Sequence, residues 1–172
     1  MTHSRKKHLK ETLLHLINSI KTGNMLHETL KTLFNRDLSK LKKEIESYRN
    51  EKVIWLIDKE IANSAGNLCL HLTGNLNAYI GAELGKTSYI RHRELEFSLK
   101  DIPRAELIKK VEDTILVVDA ALSTVTTEQF EAKYPTEVFG HPVSTEYFLV
   151  HLATHLTYHL GQINYHRRLL DK

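Results

Sequence analysis

The stretch "NSAGNLCLHLTGNLNAYIGAELG", residues 63–85, opens on Asn63 and closes on Gly85. Asparagine side chains accept free backbone N–H groups at helix starts, and glycine suits helix ends. The spacing predicts one long helix over 64–85, roughly 33 Å at 1.5 Å per residue, the length of a bundle helix. Along it Asn63, Asn67, His71 and Asn75 recur every four residues and share one face. A polar stripe of this kind costs stability unless each group finds a partner, so it should face something polar inside the protein. Gly74, Gly81 and Gly85 lie within about 40° of one another beside that stripe, a small-residue face that lets another helix approach closely.

The flanking sequence supplies further helices. Leu9, Leu13, Leu14, Leu16, Ile17 and Ile20 form one amphipathic pattern, which "KTGN" at 21–24 interrupts. Leu26, Leu30, Leu33, Leu38, Leu41 and Ile45 form a second over 25–48. Residues 1–24 therefore read as a helical extension and 25–172 as the main domain. "NEKVIWLIDKEI" (50–61) predicts a short helix that tucks Trp55 under the core. Asp101 and Pro103 open another helix, with Leu107, Ile108, Val111, Ile115, Val118, Ala121, Leu122 and Val125 as its buried stripe. Residues 126–143 lack a helical period and contain Pro135, Gly140 and Pro142, which predicts a long crossover with room for extended segments. Ser144 then caps a final helix over 145–170. The expected fold is all-α: a four-helix bundle with a long crossover before the last helix, plus an extra N-terminal helix.

A chain of 172 residues with 41% hydrophobic and 26% charged residues fits one ordinary globular domain. Its single cysteine, Cys69, excludes a disulfide framework. No apolar run is long enough to span a membrane, and the start lacks the apolar core of a signal peptide. These features predict a cytoplasmic protein. The first fifty residues carry eleven basic and five acidic side chains, the remainder thirteen and sixteen. Because the early lysines alternate with leucines at helical spacing, they read as a solvated helix face. Nucleic acid and membrane are not expected partners.

The chemistry concentrates in "HLATHLTYHLGQINYH", residues 151–166. His151, His155 and His159 fall on one helix face, four residues apart. One metal cannot take all three, since His151 and His159 are about 12 Å apart along the axis whereas zinc–imidazole bonds are ~2.0–2.1 Å. An adjacent pair, 151/155 or 155/159, can chelate, and His155 belongs to both. A third ligand must come from another helix, and His71, alone in the middle of the 64–85 helix, is the candidate. Di-iron carboxylate chemistry is excluded because no histidine has a glutamate three residues before it. There is likewise no G-x-S-x-G elbow, HExxH motif or phosphate-binding glycine loop.

The runs "NSAGNLCLHLTGNLNAYIGAELG", "YIRHRELEF" and "HLATHLTYHLGQINYHRRLL" resemble the DinB/YfiT-like superfamily of small metal-binding four-helix proteins, over roughly residues 30–172. The resemblance implies a divalent-metal site made by one histidine of the second helix and a His-x-x-x-His pair of the last. These map to His71 and to His155 and His159, the pair that precedes "GQ"; His151 is left as an extra. The resemblance also implies a homodimer and, from the better understood relatives, a transferase that uses a low-molecular-weight thiol. Zinc or nickel with an open coordination position could hold a thiol as thiolate or lower the pKa of water towards ~7.

Around the metal, Asn67 and Asn75, one turn either side of His71, and Gln162, three residues beyond His159, are candidate acceptors for the ligands' second N–H groups. Arg91 and Arg93 could clamp a substrate carboxylate. His151 and Tyr158 are candidate pocket residues, and His166 reads as a cation at a helix C-terminus. The function placed first is a metal-dependent thiol transferase acting on a small molecule. A metal-dependent hydrolase and a non-catalytic metal- or ligand-binding dimer module are the alternatives.

Overall fold

Leu30, Phe34, Leu38, Leu41 and Ile45 recur every three or four residues and are all buried, the stripe that makes 26–46 a helix, α1. The computed structural model describes residues 26–58 and 60–172. The helix expected over 9–20 and the boundary at 24/25 lie outside the described residues.

After α1 the chain makes a 3₁₀ turn, Glu51–Trp55, capped by the Asn50 side chain. Its last residue, Trp55, packs its ring against Gly66, where an added Cβ would lie 2.6 Å from the indole. The following helix, α2 (Ala65–Leu76), is capped by Ser64, whose hydroxyl accepts from the Asn67 N–H. The cap thus falls one residue after Asn63. Nor is the 64–85 segment uniform, because Asn77–Ala82 widens into a π-helical turn. The Tyr79 carbonyl accepts there from the buried Tyr134 hydroxyl at 2.6 Å.

A short helix not expected from the sequence, α3 (Arg93–Ser98), crosses back over α2. α4 (Arg104–Thr124) follows, with Leu107, Val111, Val118, Ala121 and Leu122 buried and Ile108, Ile115 and Val125 partly so. The glycine face does let this helix close in: Cβ atoms at Gly81 and Gly85 would lie 2.7 Å from Val117 and Ala121. Residues 126–143 contain one helix, α5 (Thr127–Glu131), held by a Thr126/Gln129 capping box, and one bridge, Lys133 to Ser144. Ser144 caps α6 (Thr145–Leu170). Among the described residues the fold is all-helical, with no strand.

Among the described residues α1, α2, α4 and α6 are the long helices. α1 meets α4 through Lys31–Asp119 and Lys42–Glu112, and α6 through Asp37–Thr157 and Glu44–Arg167. α2 packs on α4 and α6. In these pairings rising numbers on α1 meet falling numbers on α4 and rising ones on α6. Asn77, Gly81 and Gly85 meet Thr114, Val117 and Ala121 in rising order, so α2 and α4 run the same way and the connection that crosses back between them is 83–103, one earlier than expected.

His166 differs from expectation most. It is 4% exposed, its Nε2–H donates to the Leu56 carbonyl at 2.9 Å, and its Nδ1 accepts from the Tyr48 hydroxyl at 2.8 Å. Burial, resisted by the Leu56 bond, holds its pKa below the usual value, so it is a neutral latch rather than a terminal cation. The unfolded chain takes up this proton below pH ~6.5 while the folded chain resists it, so its contribution to stability is present above that pH and lost as pH falls. Urea unfolding of metal-free protein at pH 7.5 and 5.5 should therefore show a smaller pH loss for His166→Gln than for wild type. Equal losses would remove His166 as the cause.

Candidate metal centre

α2 and α6 run antiparallel and face each other, and this brings three histidines to one point. His155 Nε2 lies 3.2 Å from His71 Nε2 and 3.1 Å from His159 Nε2, and each ring offers a donor atom within 4.8 Å of the others. Two nitrogens bound to one tetrahedral zinc ion at ~2.0–2.1 Å are about 3.3–3.4 Å apart, so the spacing fits one shared ion. An all-imidazole donor set suits zinc, nickel or copper.

The outer nitrogens fix the inner ones. His71 Nδ1–H donates to Glu96 Oε2 at 2.9 Å, and His159 Nδ1–H donates to Gln162 Oε1 at 2.6 Å. Both Nε2 atoms therefore turn lone pairs inward, as ligation requires. The hydrogen-bond network in turn assigns the His155 proton to Nε2, where it can be shared between those two acceptors. Burial, then the neighbouring His159 and His71, push the His155 pKa down to about 4. Burial also lowers His159, against the opposing Gln162 bond. Neutral imidazoles need lose no proton to a competing solvent before they bind a metal.

Glu96, on α3, is the residue that the sequence reading missed. It is 6% exposed and receives Arg91 bidentately, Nε at 2.7 Å and Nη2 at 2.9 Å. Burial would raise its pKa, but the bonds from Arg91 and His71 outweigh this and hold the carboxyl below its usual range. Gly74 makes the approach possible, because an added Cβ there would collide with Glu96 Oε1. Asn67 holds α3 in place: its Nδ2 donates to the carbonyls of Glu96 and Leu99 at 3.0 and 2.9 Å.

The candidate residues thus divide. His71, His155, His159 and Gln162 come together. Asn67 serves α3 rather than a ligand, since its amide reaches two carbonyls and a carboxylate has already taken His71 Nδ1. Asn75 is buried, and its Oδ1 has no partner. The guanidinium of Arg91 is clamped on Glu96 instead of standing free for a substrate. Arg93 is exposed, with its Cζ 5.3 Å from the Phe97 ring centre, and Phe97 lies 5.1 Å from the His71 ring. Tyr158 is exposed, and its hydroxyl accepts from Gln162 Nε2 at 3.3 Å. His151 stacks 6.1 Å from the His155 ring, on the side of Phe139 and Phe148, outside the triplet.

Two cavities flank the centre. One, of about 320 Å³, is lined by Gln162, Tyr165, His166, Leu68 and residues 60–63. The other, of about 220 Å³, lies behind Glu96 among Leu70, Thr73, Tyr89 and Leu95. No curated protein matches the chain. The profile of the family described as "Protein of unknown function (DUF1572)" matches residues 16–172, most of the length, and the chain belongs to that family.

Proposed function

We propose that residues 25–172 form a four-helix bundle of the DinB/YfiT-like kind, with α1, α2, α4 and α6 as its helices. In this reading His71, His155 and His159 hold a divalent metal, zinc or nickel, in a cytoplasmic homodimeric enzyme. The reaction is transfer between a small molecule and a low-molecular-weight thiol. One observation carries the proposal: three imidazoles from two helices turn Nε2 atoms to one point, and two are locked in the ligating tautomer by Glu96 and Gln162. Among the described residues no helix is long and apolar enough to cross a membrane.

When bound, such an ion supplies Lewis acidity, which favours the thiolate of a thiol co-substrate at neutral pH. The chain's own residues do the rest. Glu96 and Arg91 hold His71, and Gln162 holds His159. Arg93, poised over Phe97 beside the His71 ring, is assigned to an anionic group of the substrate. Arg93→Ala should raise KM several-fold with kcat little changed, the pattern of lost uniform binding. A fall in kcat alone would move Arg93 out of that role.

The test is a thiol-consumption screen on metal-free protein reloaded with zinc or nickel, using a panel of low-molecular-weight thiols and electrophiles. Metal-dependent conjugation supports the transferase. Metal-dependent hydrolysis without thiol consumption selects the hydrolase. One bound metal with neither activity selects the binding module.

A further inference from the structure

Asn75 Oδ1 is one of three buried side-chain atoms in the described residues that lack a hydrogen-bond partner, with Trp55 Nε1 and Arg104 Nε. An orphaned buried acceptor is costly, so its persistence calls for a reason. Asn75 is 7% exposed and lies one turn beyond His71 on the same face of α2. The antiparallel register places it opposite the His151–His155 turn of α6: His71 faces His155 and His159, and further along the Tyr79 ring lies 5.2 Å from Phe148. Helical side chains lean towards the helix N-terminus, which directs the Asn75 amide to the turn that carries His71.

Across that gap stands a ring nitrogen with no protein partner among the described residues. His71 and His159 each have an acceptor at Nδ1, whereas the hydrogen bonds of His155 in the described residues are made by Nε2 alone. Without metal this is sufficient, since the His155 proton sits on Nε2 between two acceptors. A metal takes the place of that proton on Nε2. The neutral ring must then carry its hydrogen on Nδ1, and a new donor appears where none was before.

Resting on the metal reading, we infer that Asn75 is a positioning residue whose Oδ1 accepts the His155 Nδ1–H once a metal is bound. The orphan of the metal-free protein is the reserved acceptor of the loaded one. The His155 ligand would then be oriented by a carboxamide, like His159, while His71 is oriented by a carboxylate.

Zinc titration and thermal unfolding of wild type, Asn75→Leu, Asn75→Asp and His155→Ala test this. Asn75→Leu removes the orphan and the acceptor together. Its metal-free form should melt about 2–4 °C above wild type, while its zinc affinity falls about 10–100-fold. Asn75→Asp keeps an acceptor; its metal-free form should melt below wild type, with zinc affinity retained. In ¹H–¹⁵N imidazole spectra the His155 proton should be on Nε2 without zinc and on Nδ1 with it. Equal zinc affinity in wild type and Asn75→Leu, or affinities that follow metal-free stability in the two variants, would overturn the inference. If wild type binds no more zinc than His155→Ala, it is the metal reading that fails.

Discussion

Protein carrying His155→Ala should purify with background metal, where wild type carries about one equivalent per chain. His155 Nε2 is within hydrogen-bond distance of both other ligand nitrogens, so its loss leaves two donors on separate helices with nothing between them. Complete zinc sites bind with about 10–16 kcal/mol. Shared over four ligands, this makes one imidazole worth about two to three orders of magnitude in affinity. His71→Ala should behave alike. His151→Ala should retain its metal, because the His151 ring stacks behind His155 among Phe139 and Phe148. Elemental analysis of the three variants beside wild type decides it; unchanged metal in His155→Ala would refute the site, and loss in His151→Ala would refute the choice of ligand pair.

The second large effect is expected at Gly74, which touches no metal ligand through a side chain. An added methyl group collides with Glu96 Oε1 and stands 3.0 Å from its Cδ, so the carboxylate must swing away. His71 then loses the acceptor at Nδ1, and Arg91, whose side chain is 14% exposed, loses its counter-charge. Gly74→Ala should weaken metal binding about 10–100-fold, the usual cost of losing such an outer partner. Glu96→Ala should do the same and also destabilise the fold by about 1–3 kcal/mol, because it strands a half-buried guanidinium. Replacing both partners, Arg91→Met with Glu96→Leu, should restore most of that stability and none of the affinity. Zinc titration and urea unfolding on the same samples separate the two effects. Wild-type affinity in Gly74→Ala would show that Glu96 does not orient His71.

The long helices were legible because each rests on a short-range rule, whereas spacing left the pairs 151/155 and 155/159 open and only the family resemblance pointed to the His71, His155 and His159 group that the fold brings together. Four-residue spacing puts His155 and His159 on one face, and Ser144 and Thr145 mark the start of α6 as capping chemistry demands. Glu96 was not legible, since its role depends on a six-residue helix, on Asn67 pinning that helix by two carbonyls, and on a missing Cβ at Gly74. None of these leaves a periodic trace. Arg91 was misread for a related reason: a free guanidinium and one clamped to a carboxylate five residues away look identical in sequence. His166 lies near the end of α6 as its position suggested, but the 47–58 segment folds over it and buries it. The π-helical turn had no sequence marker that we recognise.

The three histidines of the candidate centre come from α2 and α6, far apart in the sequence. An ion shared by His71 and His155 would tie together positions 84 residues apart, a non-covalent counterpart of a cross-link. The entropic cost of closing a loop grows only slowly with its length, so this span is no obstacle to the mature protein. It does set an order of events. During synthesis such a site would be incomplete until residue 159 has been made, and a nascent chain that has passed residue 71 but not yet reached 155 holds one of the three histidines. Metal supply would then act as a ligand acts on any folding equilibrium, with heat resistance rising as free metal exceeds the dissociation constant.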